Sequence, residues 1–224
     1  LEVIAVTVAD AVAAEAGGAD RIELVASMAE GGVTPSAGVI AAVRRATRLP
    51  VYVMIRPRGG SFLFSPEEVE AMVTDARIAR DLGADGLVVG ALTPEGDVDR
   101  TALERILTEA GLPATFHRAF EEIIHREGAL AQVASLPHVE RILTGGGAAR
   151  PEEALDTLRE LVQRSPLEIQ IGGGVTPANA ARLVRETGAS ALHVGSAVRD
   201  SAGGVSAARV AELRRIIDGA TAPA

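Results

Sequence analysis

The chain of 224 residues contains no cysteine, no lysine and no tryptophan, and aromatic residues make up only 2% of it. Without lysine, Schiff-base catalysis and a lysine-anchored pyridoxal cofactor are excluded. Without cysteine, thiol nucleophiles, disulfides and thiolate metal sites are excluded as well. Acid–base or metal chemistry must therefore use the carboxylates and the four histidines, and every permanent cation on a side chain is an arginine.

The charge balance and the hydropathy exclude further classes of protein. The formal net charge is −8, whereas a nucleic-acid surface needs clustered basic residues. No apolar run approaches the ~20 residues of a membrane span, and no signal-peptide pattern opens the chain. We therefore expect a cytoplasmic protein with no nucleic-acid partner and no membrane partner.

Short β-branched runs alternate with longer segments of helical character along the whole chain. The eight predicted strands cover residues 1–6, 21–25, 51–56, 86–90, 114–117, 139–144, 168–171 and 191–194. Eight strand–helix units in a chain of this length predict a single (β/α)8 barrel, the TIM-barrel fold, over residues 1–224. The alternative is an open doubly wound sheet, which needs a glycine fingerprint after its first strand. Thr7-Val8-Ala9-Asp10 has none.

Local signals predict where helices begin and end. Ser65-Pro66-Glu67-Glu68 has the pattern of a capping box with proline in the first turn, and Thr7 with Asp10 predicts another helix start. Thr34-Pro35 and Thr176-Pro177 predict two further caps. A repeated Gly-Ala-Asp or Gly-Ala-Ser turn at 18–20, 83–85 and 188–190 predicts three helix ends that lead into strands.

Polar residues interrupt strands that a parallel barrel should bury on both faces. Strand alternation directs Glu2, Glu23, Arg56, His117 and His193 into one barrel interior if their faces point inward. For Glu2 and Arg21, early in their strands, a buried ion-pair network is the favoured interpretation. Arg56 and His117 lie at C-terminal strand ends, where barrel active sites form, and there a functional role is favoured.

Two arginine-containing segments predict an anion site. Arg56 and Arg58 flank Pro57 before Gly59-Gly60, and paired guanidinium groups bind carboxylate or phosphate; solvated loop arginines are the alternative. Thr115-Phe116-His117-Arg118 places a further arginine beside an imidazole. His117 and Glu23 are the candidate catalytic acid or base.

Glycine-rich loops follow the last two strands. Gly172 and Gly173 follow strand seven, and Gly195 and Ser196 follow strand eight. Barrels that bind phosphate use backbone N–H groups at these two positions, although glycine runs also make tight turns. We include these four residues, with Glu2, Arg56, Arg58 and Arg118, in the predicted site for a small anionic molecule.

The residues alone leave any metal undetermined. His117 and His193, with Glu2 or Glu23, offer two imidazoles and a carboxylate, but no His-x-His or His-Glu-x-x-His spacing is present. Met28, Met54 and Met72 are dispersed along the sequence, so packing explains them better than a methionine-rich copper(I) site. No cofactor is predicted from these patterns.

Several segments, in order along the chain, resemble the CutC copper-homeostasis family. They are Leu1-Glu2-Val3, Ala19-Asp20-Arg21-Ile22-Glu23-Leu24, Glu30-Gly31-Gly32-Val33-Thr34-Pro35-Ser36, Ile55-Arg56-Pro57-Arg58-Gly59-Gly60, Thr115-Phe116-His117-Arg118-Ala119-Phe120 and Arg141-Ile142-Leu143-Thr144. The resemblance implies a cytoplasmic (β/α)8 barrel that forms a homo-oligomer, with a dimer expected. It also implies a cavity on Glu2, Glu23, Arg56, Arg58, His117 and Arg118.

Two functions of different classes follow. The family name implies a role in copper homeostasis and is the only source of copper as a ligand. Copper ligation in the family is attributed to cysteines, so their absence here argues against direct copper binding. The alternative is an enzyme or binder for a small phosphorylated or carboxylated metabolite, held by arginine and acted on by Glu23 or His117.

Overall fold

The computed structural model describes residues 1–125 and 128–221. Eight parallel strands pair in sequence order and the eighth pairs with the first, so the sheet closes into a barrel. The predicted (β/α)8 fold is confirmed, and the open sheet is excluded. The strands are β1 (Glu2–Ala5), β2 (Arg21–Leu24), β3 (Val51–Met54), β4 (Gly86–Val89), β5 (Ala114–Phe116), β6 (Val139–Thr144), β7 (Glu168–Ile171) and β8 (Ala191–Val194).

A helix follows each strand and packs on the outside of the barrel. The helices are α1 (Val8–Ala16), α2 (Ala37–Ala46), α3 (Pro66–Asp81), α4 (Arg100–Ala110), α5 (Ala129–Ala134), α6 (Leu155–Arg164), α7 (Ala180–Thr187) and α8 (Ala207–Thr221). Short 3-10 turns occupy four of the loops, at Met28–Glu30, Arg118–Glu122, Pro151–Glu153 and Ser196–Val198. None of the helices in the described part of the chain combines the length and the hydropathy that a bilayer crossing requires.

Two of the four predicted helix starts are confirmed and two are displaced. Ser65 and Thr7 form capping boxes at α3 and α1. The cap of α2 is Ser36 rather than Thr34, because the Thr34 hydroxyl accepts a hydrogen bond from the Arg56 backbone N–H at 2.8 Å. Helix α7 begins only after Asn179, so Thr176-Pro177 opens the turn that precedes it.

The repeated glycine turn ends helices as predicted. Gly18, Gly83 and Gly188 have φ of +85°, +86° and +76°, a left-handed conformation that glycine adopts without steric cost. Each turn returns the chain within a few residues to β2, β4 or β8. The three units therefore share one local solution for passing from helix to barrel.

Apolar side chains divide unequally between the two faces of the sheet. The main core lies between the strands and the surrounding helices, whereas the buried apolar cluster inside the barrel is Val25, Tyr52, Met54 and Val88. Most of the remaining interior is filled by buried polar groups, which include Glu2, Glu23, Thr115, Arg141, Gln170 and His193. Buried charges require partners. The polar side chains of the barrel interior must therefore stabilise the fold by pairing with one another and also supply the groups for any chemistry.

Candidate functional site

A cavity of about 240 Å³ opens at the C-terminal ends of the strands, the end where (β/α)8 barrels carry their active sites. Its walls come from strand ends and from the loops after β2, β3, β5, β7 and β8. The lining residues are Ile4, Glu23, Val25, Met28, Gly31, Gly32, Met54, Arg56, Phe62, His117, Arg118, Leu143, Gly173, Gly174, Val175, His193, Val194, Gly195 and Ser196.

Beneath this cavity, Glu2 is the centre of a buried polar cluster. Its carboxylate accepts from Arg21 Nε, from Gln170 Nε2 at 2.8 Å and from His193 Nδ1 at 2.7 Å. Burial by itself would raise the pKa of Glu2, but the hydrogen bond from His193 and the charge of Arg21 outweigh it and hold the pKa at about 2. Glu2 is therefore a carboxylate at neutral pH and supports the site from below; it does not line the cavity.

Glu23 is the buried carboxyl that borders the cavity. Burial raises the pKa of Glu23 to about 7, with the charge of Glu2 adding to the rise and that of His193 opposing it. Its Oε2 atom has no hydrogen-bond partner within the described residues and lies 3.5 Å from His193 Nδ1. Because a general acid or base works best with a pKa near the operating pH, Glu23 fits the predicted acid–base role.

His193 connects the two carboxyl groups. Burial would lower the pKa of His193, whereas the charges of Glu23 and Glu2 and the hydrogen bond to Glu2 raise it above its ordinary value. Its Nδ1–H donates to Glu2 and faces Glu23. The two carboxyl groups therefore favour the imidazolium form of His193, and its positive charge in turn favours loss of a proton from Glu23.

The same three side chains are the candidate metal ligands among the described residues. One ligand atom from each of Glu2, Glu23 and His193 lies within 4.8 Å of the other two. Arg21, Gln170 and His193 already donate to the Glu2 carboxylate, and the positive charge of Arg21 beside it repels a further cation. The cluster is better explained as a hydrogen-bonded ion network, and His117, in another part of the cavity wall, does not join it.

His117 also lines the cavity, but its surroundings differ from those of this charged network. Its ring packs against Phe62 with 4.7 Å between the centroids. Burial, assisted by the charge of Arg56, lowers the pKa of His117 to about 3. The imidazole is therefore neutral at physiological pH.

Arg56 lines the cavity while most of its donors hold the surrounding loops. Nη1 donates to the carbonyls of Glu30 and Gly32 at 3.0 and 3.2 Å, and Nη2 donates to the Gly60 carbonyl at 2.6 Å. The guanidinium lies over the Phe62 ring. Arg56 thus joins the loop after β2 to the loop after β3 and brings a positive charge to the cavity wall.

The two other predicted anion-binding arginines differ in position. Arg58 donates to Glu68 and to the Leu63 carbonyl and is not among the cavity-lining residues; it stabilises the loop after β3. Arg118 lines the cavity with a half-exposed side chain that donates to Glu121 at 2.6 Å. Of the two, Arg118 is the one that can meet an incoming anion.

The loops after β7 and β8 border the cavity beside Arg118. Gly173 has φ +75°, and a Cβ atom there would lie 3.2 Å from the Arg118 guanidinium carbon, so glycine permits both the turn and the close approach. In the described part of the chain, the N–H groups of Gly173 and Gly174 make no hydrogen bond. Gly195 and Ser196 also line the cavity, whereas the N–H of Gly172 donates to the Thr144 carbonyl.

Methionines that are far apart in sequence meet in this cavity. Met28, in the loop after β2, and Met54, at the end of β3, both line it, whereas Met72 is fully buried in α3. The wide spacing of the methionines in the sequence therefore did not show that two of them lie together in the structure. Their common location at C-terminal strand ends was the signal available in the sequence.

Two further residues contribute to the site and were not predicted from the sequence. Glu121 orients Arg118 and also accepts from the Thr144 hydroxyl at 3.1 Å. Gly90 follows β4 at the point where the His117 ring is nearest. Glu121 follows Arg118 by three residues, a spacing that predicts contact within a helical turn; the Gly90 contact depends on packing between β4 and β5.

The fold and the site together define a (β/α)8 barrel with an acidic and cationic cavity at its C-terminal end. The chain belongs to the CutC family, whose model matches residues 1–198. It is 42% identical to the human copper homeostasis protein cutC homolog over 205 residues. The matched region covers 90% of this chain and 75% of the human protein. The mouse homolog of the same name is 43% identical over 196 residues, 86% of this chain and 72% of the mouse protein.

Solved structures agree with the family and the fold. A CutC crystal structure from Streptococcus agalactiae has a TM-score of 0.82 and 34% identity, over 87% of this chain and 96% of that chain. Phosphoribosyl anthranilate isomerase from Thermococcus kodakaraensis has a TM-score of 0.64 at 17% identity, over 96% and 97% of the two chains. The second similarity concerns the fold alone.

Proposed function

We propose that the chain acts in copper homeostasis and that its molecular activity is the binding and acid–base conversion of a small carboxylated or phosphorylated metabolite. The names of the human and mouse relatives support the first part. The second rests on one observation: Glu23, with a pKa near 7, borders a cavity whose wall also carries Arg118 and two glycine loops. A titrating carboxyl beside an anion-binding surface is the arrangement that proton transfer on an anionic substrate requires.

The electrostatics of the cavity favour an anion in a particular part of it. Arg118 is half exposed and adjoins Gly173, whose N–H group and that of Gly174 are without an acceptor among the described residues. Backbone N–H groups after β7 and β8 bind phosphate or carboxylate in barrels of this kind. The anionic group would lie there, and the reactive part of the molecule would extend towards Glu23.

Substitution of Arg118 tests this arrangement. We expect Arg118→Gln to weaken the binding of inorganic phosphate and of malonate by about tenfold or more, because a charge-assisted hydrogen bond is lost. Isothermal titration calorimetry at low ionic strength measures both affinities. Arg58→Gln is the matched control, since Arg58 is engaged with Glu68 outside the cavity, and it should change neither affinity by more than about twofold. Absence of binding of both anions to the unmodified protein would refute the proposed activity.

Copper binding in the same cavity is the second candidate function. Met28, Met54 and His193 line it, and thioether and imidazole groups are ligands for copper(I). A copper(I) titration against a chromophoric chelator separates the two candidates. One equivalent bound by the unmodified protein and lost in Met28→Leu and Met54→Leu, but retained in Met72→Leu, would assign copper to the cavity. The anion-binding candidate predicts no stoichiometric uptake.

We also propose a cytoplasmic location and a homo-oligomeric, dimeric assembly. The family resemblance supports both, and the net charge of −8 supports the absence of a nucleic-acid partner. Light scattering of the purified chain measures the mass of the assembly directly.

A further inference from the structure

The His117 side chain is held in one tautomer. Its Nδ1 atom accepts a hydrogen bond from the Ala119 backbone N–H at 3.1 Å, so Nδ1 carries the lone pair. In a neutral imidazole the other nitrogen then carries the hydrogen. Nε2 is therefore the donor, and within the described residues it is buried without a hydrogen-bond partner. A buried donor without a partner is costly, which makes a bound acceptor the natural explanation.

The surroundings keep this imidazole neutral and in place. Burial and the neighbouring Arg56 charge lower the pKa of His117 to about 3. Phe62 packs against the ring. On another side of the ring, a Cβ atom at Gly90 would lie 2.3 Å from His117 Cε1, so only glycine leaves space for the imidazole. A rigid neutral imidazole donates a hydrogen bond and does not collect a proton from a substrate.

We infer that His117 donates a hydrogen bond from its Nε2–H group to a carbonyl oxygen of the substrate. This inference rests on the proposed acid–base function. The substrate class is then a small carbonyl compound that also carries a carboxylate or phosphate. This assignment replaces the acid–base role that the sequence suggested for His117. Glu23, which lines the same cavity, remains as the group that exchanges the proton.

The corresponding step balances without a further reactant. The Glu23 carboxylate takes a proton from the carbon next to the carbonyl group, and the C–H bond breaks. Its electron pair forms the carbon–carbon double bond of an enolate, and the carbonyl π electrons move to oxygen. His117 stabilises the oxyanion by hydrogen bonding and keeps its own proton. Return of the proton from Glu23 to the same carbon re-forms the carbonyl group and completes the exchange of that hydrogen.

The tautomer is measurable on the unmodified protein without any ligand. Long-range ¹H–¹⁵N correlation spectra of ¹⁵N-histidine-labelled protein distinguish the two imidazole nitrogens. We expect His117 to be in the Nε2–H form and not to titrate between about pH 5 and pH 8, given its lowered pKa. A protonated ring at pH 7, or hydrogen on Nδ1, would overturn the inference whatever the substrate is.

Binding of 2-phosphoglycolate tests the donor itself, because its carboxylate imitates an enolate oxygen and its phosphate supplies the anionic group. We expect His117→Phe to weaken its binding on the order of ten- to a hundredfold, as for loss of a hydrogen bond to a charged acceptor. His117→Gln, which retains an N–H donor, should recover most of the loss. His125→Phe is the matched control, because His125 is exposed.

The outcomes separate the two proposals. If His117→Phe binds 2-phosphoglycolate as tightly as the unmodified protein does, anion binding stands and the role of His117 is refuted. If the unmodified protein binds neither this compound nor phosphate or malonate, the proposed function is refuted and the inference falls with it. Circular dichroism of each variant establishes that a loss of affinity is measured on folded protein.

Discussion

Glu2→Ala should destabilise the barrel by about 3–5 kcal/mol, the usual cost of removing one member of a buried charge network. The substitution leaves Arg21, Gln170 and His193 without the carboxylate to which all three donate. It also removes the group that joins β1 to β2, β7 and β8 inside the barrel. The free energy of unfolding from urea titration, followed by far-ultraviolet circular dichroism at pH 7, measures the effect.

Glu70→Ala is the matched control for this prediction. Glu70 also forms an ion pair with an arginine, Arg105, but on the surface, where both side chains are about half exposed or more. Exposed pairs contribute at most about 1 kcal/mol. A Glu2→Ala variant within about 1 kcal/mol of the unmodified protein would contradict the structural role assigned to this network.

Glu23→Gln should stabilise the protein at pH 8 by about 3 kcal/mol, although it removes the proposed catalytic group. The pKa of Glu23 is raised from 4.5 to about 7 in the folded state, so between these values the folded protein binds more protons than the unfolded chain. Stability therefore falls as pH rises through this interval, by about 1.4 kcal/mol per unit of pKa difference. Glutamine is neutral throughout and avoids this loss.

The pH dependence distinguishes this effect from a general change in packing. Urea unfolding of both proteins from pH 4.5 to pH 8 should give curves that are close at the acid end and diverge as pH rises. Glu70→Gln, the same substitution at an exposed position, should follow the unmodified protein over the whole range. A constant difference between Glu23→Gln and the unmodified protein would refute the raised pKa.

These two predictions assign opposite roles to neighbouring carboxyl groups. Glu2 is stabilised as a carboxylate by donors on several sides, whereas Glu23 faces a cavity and has an oxygen without a hydrogen-bond partner among the described residues. Buried groups whose pKa is strongly shifted towards neutrality cluster at functional sites. The contrast supports Glu23, rather than Glu2, as the group that acts on a substrate.

Much of the architecture was accessible from the sequence because its signals are local. All eight strands were predicted within two residues at each end, since alternating apolar strands and capped helices follow from backbone and side-chain preferences. Gly18, Gly83 and Gly188 marked three helix ends for the same reason. The helix cap predicted at Thr34 was wrong because the Thr34 hydroxyl accepts a hydrogen bond from the backbone N–H of Arg56, which is distant in sequence.

The chemistry of the site was decided by tertiary structure. The sequence by itself established that only arginine, histidine and carboxyl groups are available, that the barrel is their scaffold, and that cysteine cannot serve a metal here. It did not determine that Arg58 lies outside the cavity, or that Met28 lies inside it. It also did not separate the pKa of Glu2 from that of Glu23, because burial and the distance to His193 exist only in the closed barrel.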